Sequence, residues 1–164
     1  MLKRLYRDQR GLTLIELLAV IVILAIIAAI AIPSIGGIIN KTKKEAHRAN
    51  AQMIIDGARF KVTTEGFNPD TTGGNVQTIT LEQIVSAGYL DKEPKDPQGT
   101  NNSTYHPTAT KVTVTQNSSN GSLTYRITLV DASGNTKYFD NKTEEEIKTV
   151  SIGGGTSPSP SNTP

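Results

Sequence analysis

Hydrophobic positions along this chain fall into two regimes. From Leu12 to Ile32, 19 of 21 residues are apolar, interrupted only by Thr13 and Glu16. At 1.5 Å per residue such a run makes a helix of roughly 30 Å, the thickness of a bilayer's hydrocarbon core. Past Pro33 the period changes. Ile35, Ile39, Thr42, Ala46, Ala49, Met53, Gly57 and Phe60 step by three and four residues along one face, while Lys43, Lys44, His47 and Arg48 lie mostly elsewhere. That spacing predicts an amphipathic helix whose apolar stripe backs a folded head. Residues 12–63 then form one bent rod of about 75–80 Å. His47, on the charged side, is expected to be solvated.

Gly66, Asn68-Pro69 and Gly73-Gly74 end the helix and open a loop. Thr80-Leu81-Glu82-Gln83 starts a short helix with a capping-box pattern, and Gly88 suits its C-terminal end. Pro94 and Pro97 hold an extended stretch. Alternation of polar and β-branched residues then predicts strands at 111–115, 123–130 and 137–139, joined by turns at Asn117–Gly121 and Asp131–Asn135. Ile147, Val150 and Ile152 are placed as a fourth edge. The expected fold class is α+β: a long N-terminal helix packed on a small antiparallel sheet. From Gly153 the Gly, Ser, Thr and Pro composition predicts a disordered tail over 153–164.

Charge adds a topological reading. Residues 1–11 carry Lys3, Arg4, Arg7 and Arg10 against Asp8, whereas residues 64–164 carry 7 basic and 11 acidic side chains. The net charge of +2 therefore sits around the apolar run rather than on the head. A nucleic-acid binder shows a basic patch over its domain, so direct nucleic-acid binding is not expected. Four Lys or Arg precede the run and four follow it, so counting gives a tie; the first group lies closer and weakly favours a cytoplasmic N-terminus. With no cysteine there is neither a disulfide staple nor a thiolate metal site.

Three readings of the apolar run compete: a cleaved secretory signal, an ordinary anchor, or an assembly segment. Ala29-Ile30-Ala31 fits a signal cleavage site, yet the run exceeds the usual 7–15 apolar residues and carries a carboxylate near its start. Gly11-Leu12-Thr13-Leu14-Ile15-Glu16-Leu17-Leu18, with the run leading to Ala31-Ile32-Pro33, resembles the processing and assembly signal of type IV pilins and type II secretion pseudopilins. Gly11, Glu16 and Pro33 fall at the family's offsets; Leu12 stands where Phe is commonest. The stretch Leu81 to Leu90, followed by Pro94 and Asp96-Pro97, is similar to major pseudopilins, less specifically.

The resemblance implies a leader over 1–11, cut between Gly11 and Leu12 by a prepilin peptidase, with N-methylation of Leu12. It implies a membrane and filament-core helix over 12–33, an amphipathic half over 34–64, and a head over 65–152. Glu16 is implied to meet the N-terminal amine of a neighbouring subunit during assembly. Pro33, Gly36 and Gly37 mark a helix bend, since Pro removes a backbone hydrogen bond and each Gly costs about 1 kcal/mol relative to Ala. The implied partners are further copies of the chain, the peptidase, membrane lipid before assembly, and an inner-membrane platform with its ATPase. The implied location is the membrane, then an extracellular filament.

No catalytic arrangement stands out: His47 and His106 lie on different elements, and Gly73-Gly74 lacks a phosphate-loop context. An enzyme is not expected, and no cofactor is. Calcium enters only through Asp131 and Asp140, with Ser133, Asn135 and Glu144–Glu146 nearby. Calcium takes six to eight oxygens, and no full ligand pattern is present, so a β-turn beside an acidic face is preferred. The leading function is a type IV pilus subunit for adhesion, motility or aggregation. Its alternative is a pseudopilin of a type II secretion or competence DNA-uptake machine. A secreted or membrane-anchored binding module is the reading from a different class.

Overall fold

The computed structural model describes residues 13–70, 74–150 and 152. The leader, Gly11, Leu12 and the tail at 153–164 lie outside the described residues. The chain divides into two units, Met1–Lys41 and Thr42–Pro164. Helix α1, Leu14–Glu65, runs through both. In the first unit it continues through Pro33, Gly36 and Gly37 as uninterrupted helix. Its end is set by Gly66, whose φ of 89° is left-handed and whose N–H bonds Val62 O at 3.0 Å, closing the last turn.

In the second unit a four-stranded antiparallel meander forms in the order β1 (Val76–Thr80), β2 (Lys111–Gln116), β3 (Leu123–Val130), β4 (Lys137–Thr143). Alternate residues face inward, so Val112 and Val114 from β2 are fully buried between polar neighbours. On β4 both Tyr138 and Phe139 are buried in succession, because register shifts opposite Leu129 break the alternation. Two short helices complete the head: α2 (Leu81–Ser86), contributing Leu81 and Ile84, and α3 (Glu144–Thr149), contributing Ile147. These side chains join Ala51, Ile54, Ile55, Ala58 and Val62 of α1 in one core.

The α+β architecture agrees with the sequence expectation, and three details do not. The stripe of α1 under the head is His47, Ala51, Ile54, Ile55, Ala58 and Val62, not the one read from the sequence. Of that expected stripe only Gly57 is buried; Met53 and Phe60 are 46% and 65% exposed. The fourth strand is β1 at the β2 edge, whereas residues 144–149 form helix α3. A capping box explains α3: the Thr143 hydroxyl accepts from Glu146 N at 3.3 Å, and Glu146 Oε2 accepts from Thr143 N at 2.8 Å. The third correction is His47, which is fully buried rather than solvated.

Candidate functional site

Helix α1 opens with a capping box that the sequence reading missed. Glu16 Oε2 accepts from Thr13 N and from Thr13 Oγ1, both at 3.2 Å, while Thr13 Oγ1 accepts from Glu16 N at 3.3 Å. Thr13 O accepts the first intrahelical bond, from Leu17 N, at 3.1 Å. The signal was present as Thr-x-x-Glu ahead of an apolar run. Glu16 thus satisfies two donors of its own helix end and places its charge where the helix dipole favours an anion. It remains exposed, as the only carboxylate in a long apolar stretch.

Beyond it, Leu14, Ile15, Ile30 and Ile32 are each at least 70% exposed. None of the most apolar stretch of α1 is buried. By length and composition α1 is able to cross a membrane. Apolar surface this extensive is stable only when lipid or another chain covers it. Around Gly36 and Gly37 an added Cβ would meet nothing within 4 Å. Among the described residues no packing requires glycine at either position.

The head contains a buried polar cluster. His47 Nδ1 lies 2.8 Å from the Tyr105 hydroxyl, which also accepts from Asn50 Nδ2 at 3.1 Å. The His47 ring stacks on Tyr138 with centroids 4.0 Å apart. The Tyr138 hydroxyl donates to Asp96 Oδ2 at 2.8 Å. Burial pushes the His47 imidazole down to about 4, outweighing the nearby Asp96 carboxylate; Lys43 adds to the depression. Burial likewise raises both tyrosines above their ordinary range.

On the opposite flank of α1, Arg59 bridges Asp56 at 2.8 Å and Glu144 at 2.7 Å, and Gln52 also bonds Glu144. The Gln52 amide, followed by the Arg59 guanidinium, holds the Glu144 carboxyl below its usual range. Arg48 donates to the carbonyls of Ile147 and Val150 at 2.8 and 3.1 Å, tying α1 to the C-terminal end of the head.

The two calcium candidates have separate engagements. Asp131 organises the β3–β4 turn: Oδ1 accepts from Asn135 N and Thr136 N at 2.9 Å, and Oδ2 from Ser133 Oγ at 2.7 Å. Burial opposes its ionisation, but these donors and Gly134 outweigh it and keep its carboxyl low. Asp140 pairs with Lys137 at 3.0 Å. Among the described residues no three His, Asp or Glu gather as a metal-binding group.

Comparison with known proteins bears on the N-terminal segment and on the head. Residues 6–32 match the model of the prokaryotic N-terminal methylation motif. The chain is 30% identical over 109 residues to the type II secretion system core protein G of Pectobacterium carotovorum subsp. carotovorum, covering 60% of this chain and 68% of that protein. No solved structure matches it significantly. A matched length of 109 residues is more than the apolar segment supplies, so the likeness includes the head. The methylation motif, the uncovered helix with its single capped carboxylate and the four-stranded head place this chain in the type IV pilin and pseudopilin family.

Proposed function

We propose that this chain is a structural, non-catalytic filament subunit, released from its leader between Gly11 and Leu12, N-methylated on Leu12, and polymerised through α1. The observation that carries this reading is a helix long and apolar enough to cross a membrane, with none of its most apolar stretch buried. In the membrane, lipid covers that surface; in a filament, the helices of other copies take over. Cleavage creates an amine on Leu12, and an ammonium in apolar surroundings needs an anion. Glu16 is the carboxylate at hand. In the lone chain it bonds Thr13, and in an assembly it exchanges that partner for the amine of a neighbour, which sets the axial register. A bend at Pro33, with helix weakened at Gly36 and Gly37, belongs to this reading because Pro removes a backbone hydrogen bond and each Gly lowers helix propensity.

The sequence alone put a surface pilus first. The likeness to a type II secretion core protein moves the weight to a pseudopilin, a subunit of a short fibre within a secretion machine. The peptidase, an assembly platform with its ATPase, and further copies of the chain are the partners this reading requires. N-terminal mass analysis combined with fibre imaging tests it. A mature chain starting at methylated Leu12 and found in short periplasmic or envelope-bound fibres supports the pseudopilin. Long surface fibres of the same chain support the pilus, and a soluble chain starting near Ile32 overturns both.

A further inference from the structure

Polymerisation through α1 leaves the buried cluster around His47 without a role. His47 sits on α1 with no solvent exposure. The loop that covers it, residues 94–105, is closed by the Lys95–Thr104 bridge, by Asp96 N bonding Ser103 O at 2.9 Å, and by Tyr105 N bonding Pro94 O at 3.4 Å. Three side chains fasten this loop to the rest of the head. Tyr105 bonds His47, Asn50 donates to Lys95 O at 3.0 Å, and Asp96 accepts from Tyr138 of β4.

The Tyr105 oxygen accepts from the Asn50 amide, and the acceptor within reach of its own O–H is His47 Nδ1 at 2.8 Å; giving that proton to Nδ1 satisfies the hydroxyl and puts the proton of the neutral imidazole on Nε2, the tautomer on which the following proposal rests. Among the described residues that Nε2 has no hydrogen-bond partner, and it lies 3.9 Å from Asp96 Oδ1, beyond hydrogen-bond reach. Asp96 Oδ1 is already held by Gln98 N at 2.8 Å. The titratable and charged groups that face His47 are Asp96 and Tyr105 from the loop, Tyr138 from β4, and Lys43 from the preceding turn of α1.

We propose that His47 is a two-position switch that fastens the 94–105 loop to α1 when neutral and releases Tyr105 when protonated, swinging Nε2–H to the Asp96 carboxylate. A second proton goes on Nδ1, the atom that had been accepting from Tyr105. The hydroxyl then faces two donors, His47 and Asn50, and its own proton loses a buried acceptor, an arrangement that costs free energy. Asp96 offers the compensation. A shift of about 1 Å converts the 3.9 Å separation into a charge-assisted hydrogen bond. The loop is thereby closed at neutral pH and loosened in acid, while the sheet and the remaining core stay in place.

The experiment is an NMR titration of the full chain in detergent micelles with isotope-labelled histidine and tyrosine; His47 and His106 are the chain's two histidines. The expected result has three parts: a neutral His47 in the Nε2–H tautomer, a midpoint about one unit or more below the ordinary histidine value, and Tyr105 and Tyr138 signals moving with that midpoint. Asp96→Asn should lower the midpoint further, and His47→Gln should abolish the Tyr105 transition. An Nδ1–H tautomer, tyrosine signals indifferent to the His47 titration, or a midpoint raised by Asp96→Asn would each overturn the proposal. The wild-type spectra and Asp96→Asn decide the matter even where His47→Gln does not fold, and none of these readouts depends on filament formation.

Discussion

Gly57 provides the sharpest test of how α1 carries its head. A Cβ built there lies 2.7 Å from Ile84 Cγ2 and 3.5 Å from Tyr89 O. Helix propensity alone says Gly57→Ala should stabilise by about 1 kcal/mol. The contact says otherwise, because Ile84 is fully buried and cannot swing aside. Helix α2 is held at one end by the Thr80–Gln83 capping box and at the other by Tyr89 N bonding Ile84 O at 3.0 Å. Overpacking a well-filled core costs about 1–3 kcal/mol. The balance is a net loss of about 1 kcal/mol, or roughly 5 °C in the head's unfolding midpoint for a unit of this size. The assay is urea and thermal unfolding of the full chain in micelles, followed by near-ultraviolet circular dichroism of the head tyrosines. Ile84→Leu removes the offending Cγ2, so the double variant should recover about 1 kcal/mol relative to additivity. Gly57→Ala as stable as wild type, or more so, would refute the close approach of α2 to α1.

The same unfolding assay reads the burial of His47. Its pKa is near 4 folded against 6.5 unfolded, so the unfolded chain binds more protons between those values, and stability falls as pH drops through that window by roughly 3 kcal/mol. His47→Gln should flatten that slope, and an unchanged slope would count against burial as its cause. Thr143→Ala removes the cap of α3 and should cost about 1 kcal/mol, read as a lower urea midpoint. Glu16→Ala should still be cleaved, with wild-type processing on immunoblots, yet enter fibres at a small fraction of wild-type yield; equal incorporation would remove Glu16 from assembly. Gly11→Val should leave the leader attached, visible as an unshifted precursor mass, and normal maturation of that variant would displace the cleavage site.

The legible parts of this fold were those with strong local signals. Thr80-x-x-Gln83 announced α2, and the alternation over 111–115 and 123–130 announced β2 and β3. Strand β1 escaped because only Ile79 of Val76–Thr80 is fully buried, so its period-2 pattern is thin in a polar stretch. Helix α3 escaped because Ile147, Val150 and Ile152 suit an edge strand equally well, and what decides for helix is the Thr143-x-x-Glu146 cap. Thr13-x-x-Glu16 carries the same signal, but a carboxylate ahead of an apolar run reads first as a charge, and the donors it satisfies show only in the structure.

The misplaced stripe of α1 has a deeper cause. Periodicity identifies a face without saying what covers it, and within 42–65 this helix has two apolar faces. One runs through Ala51, Ile54, Ile55, Ala58 and Val62 and is sealed by the sheet and α2. The other runs through Ala49, Met53 and Phe60 and stays open. The stripe expected from the sequence follows the second face, with His47 placed among the charged residues and expected to be solvated. Burial reverses that judgement. With Nδ1 paired to the Tyr105 hydroxyl and its ring stacked on Tyr138, a neutral imidazole packs as a core residue. A side chain able to be neutral inside and charged outside therefore belongs with the face of α1 that the head covers, beside Ala51 and Ile54.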